Sequence, residues 1–346
     1  MRYGLAASNL PEWVALKLLD APLPVLDTLL GPLQARAVIA AERAGVFRKL
    51  AKDGPITAPK LAADLALDAE CLRLLLRVLR AMSYVELRAG AWSLTRRARR
   101  WYGPGAKEPY EAFTQFGAPQ WRMIEQLDEV LVTGKGVDFH DQEWFTDWAL
   151  YQRSMFENAR ASSWFVVDNF PVPPGARDLL DIAGSHGWLG AALARRHAGL
   201  RSTVLDRAEA LAAAREIAKA NGYDDVVTFE EGDLRTADFG PPRDAVLLSN
   251  ILHHFGADEN LSILRRVRAA MKPGATIGIF EIETPPDDAP VDAGGDAFAL
   301  YFRITSNATC YRATDYTKWL AAAGFAHPHA IRNLRMPSRM LVVAHA

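Results

Sequence analysis

Five titratable side chains close short apolar runs in this sequence: Asp181, Asp206, Asp233, His253 and Glu281. Carboxylates so placed accept hydrogen bonds from sugar hydroxyls, and an imidazole takes up a proton near neutral pH. Asp181 opens the run Asp181-Ile-Ala-Gly-Ser-His-Gly187, after which Leu189–Arg196 reads as a helix. A strand that passes into a helix through Gly184 and Gly187 lets a ligand approach the backbone and leaves free N–H groups at the helix start. Asp206 ends the next strand-like run, about 20 residues beyond the turn, where an acidic side chain reaches ribose hydroxyls. Asp233 follows the third run, in Glu-Gly-Asp. One such aspartate reads as a helix or turn cap. Three at successive strand ends are expected to line the carboxyl edge of a parallel sheet, where open α/β sheets bind ligands.

The residues of the turn narrow the choice of ligand. Ala183 and Ser185 stand where a dinucleotide-binding GxGxxG turn has bare glycine against pyrophosphate, and no GxxxxGK[ST] phosphate loop occurs. S-adenosylmethionine has no phosphate. It needs carboxylates for its ribose and an acceptor for its adenine amine, so it is the expected cofactor, with S-adenosylhomocysteine as product. His186, inside the turn, is expected to cap the helix. No histidine and carboxylate set has ligand spacing, so no metal is expected.

These groups need a scaffold, and alternating patterns supply one. Strand-like runs at 179–183, 203–206, 226–229, 245–250 and 276–282 alternate with helical runs at 189–196, 208–220 and 261–271. Such alternation predicts an α/β domain, a parallel sheet covered on both faces. The end departs from it: a helix over 314–323 precedes strands at 329–334 and 340–344, a hairpin that requires one antiparallel strand. The first third predicts helices (33–50, 59–65, 69–82) and a small hairpin, Val85–Leu87 with Ala91–Leu94, in winged-helix order. Residues 96–170 are read as helical and rich in aromatics. Pro171–Gly175 cannot continue a helix and is read as a boundary. The expected domains are 1–100, 101–172 and 173–346.

Bulk properties exclude several classes. The chain has 346 residues, half of them hydrophobic, which suffices for a sizeable core. A net charge of −1 gives no global attraction to nucleic acid or anionic membrane. Cys71 and Cys310 lie far apart and make neither a disulfide framework nor a zinc site, which fits a reducing, cytoplasmic compartment. The N-terminus lacks signal-peptide features, and no run of about 18 apolar residues predicts a membrane span.

The turn at 178–190, Asp206, Gly232-Asp233 and Leu252-His-His-Phe255 together resemble the winged-helix small-molecule O-methyltransferases, the family of acetylserotonin, plant caffeate and bacterial polyketide O-methyltransferases. The resemblance spans nearly the whole chain. It implies a Rossmann-like class I methyltransferase sheet and an N-terminal dimerisation domain that makes a homodimer. It further implies Asp206 on ribose, Asp233 with Leu234 near adenine, and His253 as general base. The cofactor set expected is Asp181, Gly184, Ser185, Gly187, Asp206, Arg207, Asp233, Leu234 and Ser249. The family's Asp-x-Gly-Gly-Gly-x-Gly turn here has Ala183 and Ser185. Its common Asp after the catalytic His is His254, and Ser249 stands where a basic residue is usual. Of two glutamates flanking that His in plant enzymes, Glu281 matches the first; the second falls near Tyr311.

Methyl transfer from a sulfonium is an in-line displacement, with the nucleophile about 3 Å from the methyl carbon. A phenol ionises near pH 10 by analogy with tyrosine. A neutral His253 that takes its proton would raise the rate, and Glu281 would orient the ring. The acceptor, a small aromatic or polyketide-like molecule, is expected among Met155, Phe298, Arg303, Asn307 and Tyr311, with Phe113, Phe116, Trp144 and Trp148 as further aromatic walls. Two other readings compete. A carbon or nitrogen methyltransferase, or a non-methylating relative, would share the fold. A DNA-binding regulator is suggested by the winged helix and by Arg96, Arg97, Arg99 and Arg100. Against it, the leucines of Glu70–Met82 cover too many faces for a groove-binding helix.

Overall fold

The computed structural model of the protein describes residues 7, 9–18, 23–289, 292–306 and 308–346. The chain divides into two compact units, one ending at Ala118 and the other running from Pro119 to Ala346.

In the first unit the run at 33–50 forms two helices, Gly31–Arg43 and Val46–Asp53, because Gly45 between them takes a left-handed φ of 76°. Helices Ala58–Leu65 and Ala69–Ala81 follow, the second capped by Asp68, which accepts from the Cys71 N–H at 2.7 Å. Strands β1 (Val85–Arg88) and β2 (Ala91–Leu94) pair antiparallel, completing the winged-helix order. Leu72, Leu76 and Leu79 bury one stripe of the last helix against Phe47, Leu50 and Leu61.

The second unit holds a seven-stranded sheet. Its strands are β3 (Asp178–Ile182), β4 (Arg201–Asp206), β5 (Val227–Glu231), β6 (Arg243–Ser249), β7 (Met271–Ile282), β8 (Ala326–Arg332) and β9 (Arg339–His345), in the spatial order β5-β4-β3-β6-β7-β9-β8. The neighbours from β5 to β7 are parallel, and β9 runs antiparallel to both β7 and β8. The hairpin therefore places its second strand inside the sheet: Met340–Ala344 are wholly buried, whereas β8 is largely exposed and forms the edge. Alternate residues of the central strands feed two cores. Leu180, Ile182, Val246 and Leu248 face one side, and Leu179, Ala245, Leu247 and Phe280 the other.

Helix Trp148–Asn169 packs Phe165 and Val166 into that second core. Pro171–Gly175, read as a boundary, accordingly lies within the second unit, ending this helix and leading into β3. The middle region is not helical throughout. Between Leu127–Thr133 and Trp148 the chain is irregular except for a short 3-10 turn at Phe139–Asp141. No described helix is long and apolar enough to cross a membrane.

Candidate active site

The parallel strands deliver their C-terminal ends to one edge of the sheet, and the turn after β3 is built there. Ala183 and Ser185 adopt φ of 52° and 55°, and Gly187 caps helix Trp188–Arg196 at 74°. Two non-glycine residues thus hold the left-handed backbone that favours glycine. At Gly184 a Cβ would lie 2.5 Å from the Asp181 Cγ. Gly190, which the sequence reading passed over, lets the helix approach β4: a Cβ there would lie 2.1 Å from Ser202 Oγ. Its signal was the spacing of three residues from Gly187, the place of the packing glycine in nucleotide-binding turns.

The expectation that Asp181 lines the open rim is corrected. It is 1% exposed and lies beneath the turn, accepting from the Gly190 N–H at 3.3 Å through Oδ2, while Oδ1 is buried without a hydrogen bond. Burial pushes its carboxyl up to about 7 from an ordinary 3.8. The folded protein therefore holds a proton that the unfolded chain releases. This contribution to stability is full below about pH 4 and is lost as pH rises through 7, about 4 kcal/mol in total. Asp181→Asn should remove that loss. Urea unfolding at pH 5 and pH 8 should show a smaller drop for the variant than for the wild type; equal drops would contradict it.

Asp206 is the carboxylate nearest the turn's backbone. Its Oδ2 accepts from the Ser185 N–H and its Oδ1 from the Arg207 N–H, both at 2.7 Å. Arg207 points away, to Asp141 at 2.8 Å. Asp233 is exposed and accepts from the Arg235 N–H at 2.8 Å. Leu234, next to it, is packed in the core, and its carbonyl accepts from Arg266 at 2.8 Å. Ser249 ends β6 with its Oγ buried and without a hydrogen bond. His186 is the helix cap: its Nδ1 accepts from the Trp188 N–H at 3.0 Å, and burial pushes its pKa down to about 3.

A second constellation stands beyond β6 and β7. His253 Nδ1 lies 2.7 Å from Glu281 Oε2, both side chains fully buried. Glu281 Oε1 accepts from the Ile251 and Leu252 N–H groups at 2.8 and 2.9 Å. A carboxylate so loaded with donors acts toward His253 as an acceptor, so Nδ1 carries a ring proton and Nε2 is the remaining ring nitrogen. The His253 ring stacks on Phe302, centroids 3.6 Å apart.

A nucleotide-type turn with acidic strand ends and a buried imidazole–carboxylate pair on one sheet edge suits transfer chemistry. Residues 143–326, just over half of the chain, match the family model of an O-methyltransferase domain. The chain belongs to the O-methyltransferase family. As such it is an S-adenosylmethionine-dependent methyltransferase. It is 26% identical over 319 residues to 3-hydroxy-5-methyl-1-naphthoate 3-O-methyltransferase of Streptomyces sahachiroi, covering 90% of this chain and 91% of the relative. It is 29% identical over 270 residues to the mitomycin biosynthesis 6-O-methyltransferase of Streptomyces lavendulae, covering 74% and 76%. The solved structure of human N-acetylserotonin methyltransferase in complex with SAM shares the fold, with a TM-score of 0.83, 20% identity and coverage of 99% of each chain.

The methyltransferase's expected acceptor residues divide. Phe298 is 42% exposed and lies 6.1 Å from Phe302, so that Phe298, Phe302 and His253 form a ladder of near-parallel rings. Met155 is half-buried on helix Trp148–Asn169. Trp148 packs against His140 and Phe145, and Trp144 lies under the Arg122 guanidinium. Arg303 is corrected: its guanidinium donates to the Gly134 carbonyl and anchors the irregular stretch 134–147. Tyr311 is corrected too. Its hydroxyl donates to the Phe255 carbonyl at 2.7 Å and its ring packs on Tyr316 and Trp319, so it neither faces the site nor replaces a carboxylate. Glu281 acts on two buried groups, the Cys310 thiol and the Tyr316 hydroxyl, each of which desolvation and then Glu281 push up. Asn307 lies outside the described residues, and Phe113 and Phe116 belong to the other unit.

Sequence reading missed the stretch 138–152. His140 packs edge-on to His254 at 5.4 Å and bonds Tyr151 OH at 3.1 Å. Gln152 is buried and accepts from the Ser185 hydroxyl in the turn. His254 is held neutral, first by desolvation and then by His253, His140 and Arg235. His140, in a short turn of an irregular loop, gives no periodic signal, so nothing short of the fold reveals its contacts.

Proposed function

We propose that this enzyme moves the methyl group of S-adenosylmethionine to a hydroxyl of a small aromatic or polyketide-like molecule, with His253 as general base. The observation that carries this reading is the 2.7 Å His253–Glu281 bond at the carboxyl end of the sheet, which presents a basic nitrogen beside an aromatic ladder. His253 takes the acceptor's proton at Nε2, and Glu281 holds the ring and stabilises the imidazolium. Relatives named for naphthoate and mitomycin methylation support the acceptor class. Incubating the enzyme with labelled cofactor and a panel of hydroxylated naphthoates and quinones tests it. Label is expected in a methyl ether; label bonded only to carbon or nitrogen would overturn the proposal.

The residues present fit the cofactor. Asp206 keeps lone pairs free on both oxygens, and the Ser249 hydroxyl lacks a partner. Asp206 would hold the ribose, Asp233 the adenine side, and Gly184, Ser185 and Gly187 the amino-acid end. When bound, the cofactor supplies an electrophilic methyl on a sulfonium. Asp206→Ala should weaken S-adenosylmethionine binding by about 1.5–3 kcal/mol, through loss of a charged acceptor. Calorimetry showing unchanged affinity would remove Asp206 from the site.

The N-terminal unit supports a homodimer. Trp13, Leu29, Leu30 and Leu33 stand 40–60% exposed on successive helical segments, an apolar surface that needs cover. Sedimentation should find a dimer, which Leu29→Glu with Leu33→Glu dissociates; a wild-type monomer would count against it.

A further inference from the structure

We infer that Asn260 is a positioning residue for the base: its one buried amide ties together the backbone on either side of His253 and so fixes where the ring stands. The inference rests on the proposed reading of His253 as general base.

Helix Ala257–Ala269 follows the turn Leu252–His254 closely, and its buried stripe is Asn260, Ile263, Leu264 and Val267, the spacing of a core-facing helix face. Three of these are aliphatic and belong to the core; at the fourth a fully buried amide takes an aliphatic's place. Asparagine is a poor helix former, and a buried amide costs free energy unless its polar atoms are bonded. Here they are bonded only in part. The Asn260 Nδ2 donates to the Leu252 carbonyl and to the Phe255 carbonyl, each at 3.0 Å, while Oδ1 is buried without a hydrogen bond. Packing alone does not account for such a residue; its two donated bonds do.

The two carbonyls bracket His253 and His254. Both hydrogens of one planar amino group serve them, so a rigid fork sets their separation. Glu281 takes the Ile251 and Leu252 N–H groups of the same segment and meets the ring at Nδ1. The carboxylate thus orients the ring, and the asparagine fixes the backbone from which the ring hangs. Each carbonyl has one further donor: the Phe255 N–H reaches the Leu252 carbonyl at 3.2 Å, and the Tyr311 hydroxyl reaches the Phe255 carbonyl at 2.7 Å. Loss of the amide should therefore loosen the turn rather than unfold it. A base must stand within hydrogen-bond reach of the proton it takes, and a displacement of about 1 Å costs on the order of 10² in rate.

Single-turnover kinetics with two classes of hydroxylated acceptor tests this. Asn260→Ala is expected to slow an acceptor that ionises near pH 10 by about 10–10², with S-adenosylmethionine affinity by calorimetry unchanged. An acceptor already ionised at the assay pH needs no base and should lose less than about threefold. A purely structural role would slow both classes alike. In a His253→Ala background, Asn260→Ala should cost nothing further, because the group it positions is gone. Equal slowing of both classes, or the same loss in that background as in the wild type, would overturn the inference while leaving the base standing. If His253→Ala by itself left turnover unchanged, the base assignment would fall and the inference with it. Asn260→Asp covers the case in which the alanine variant does not fold. It keeps the size of the side chain and offers at most one hydrogen to the two carbonyls. Its loss should again fall on the un-ionised acceptors, and a wild-type rate with them would refute the idea.

Discussion

Replacing His253 by alanine should lower turnover by about 10²–10⁴ while leaving S-adenosylmethionine affinity unchanged, because proton removal from the acceptor is lost and the turn is untouched. The separation of effects follows from position. His253 belongs to the short helical turn Leu252–His254 after β6, whereas Asp206 and the turn 183–187 hang from β4 and β3. Single-turnover kinetics with a saturating acceptor, set beside calorimetric cofactor binding, measures both. A variant that turns over at the wild-type rate would end the general-base assignment. Acceptors already ionised at the assay pH should lose far less than acceptors that ionise near 10, since they need no base.

Glu281→Gln should be nearly as damaging, and for a subtler reason. The Glu281 Oε1 serves two backbone N–H groups, so the glutamine carbonyl must take that place. Its amide then points an N–H at His253 Nδ1, where the carboxylate had accepted. The ring must answer with a lone pair at Nδ1 and carry its proton on Nε2, which can no longer act as a base. The equivalent carboxylate-to-amide change in a serine protease triad costs about 10⁴ in turnover. A loss of about 10³–10⁴ is expected here, with unfolding free energy changed by no more than about 1.5 kcal/mol. Nitrogen-labelled histidine NMR should show the tautomer exchanged. Unaltered tautomer populations together with near-normal turnover would mean that Glu281 serves only the backbone of Ile251 and Leu252.

Much of this was legible before any coordinates, wherever chemistry and periodicity are local. The strand beginning near Leu179 ends within a residue of its expected limit, because Asp181-Ile-Ala-Gly must leave the apolar pattern. The helix over Ala208–Ala220 falls at its expected bounds. His253 and Glu281 were paired as expectations from their places after two strands, and β6 and β7 are parallel neighbours, which brings those ends together. The interior position of β9 was less legible, since a hairpin pattern does not say which strand takes the edge. Burial of Met340–Ala344 between β7 and β8 decides that.

Two aspartates that look alike in sequence part company in space. Asp181 and Asp206 both close a strand, yet one is sealed beneath Gly184 and the other clasps the Ser185 N–H. Asp181 pairs with Val204, two residues short of Asp206, so both side chains leave the same face of the sheet and differ in how far along it they stand. Tyr311 shows the same limit, its hydroxyl drawn to the Phe255 carbonyl by contacts 56 residues apart.

Sequence alone determined the alternating α/β order, the small-residue turn, its acidic followers and the imidazole with its carboxylate, because each is written in residue type and short spacing. Only the tertiary structure decided that Asp181 is buried, that the Tyr311 hydroxyl turns to the Phe255 carbonyl, and that Phe302 stacks on His253 while His140 meets the neighbouring His254. Those outcomes depend on which distant segments share a desolvated space, and no local pattern encodes that.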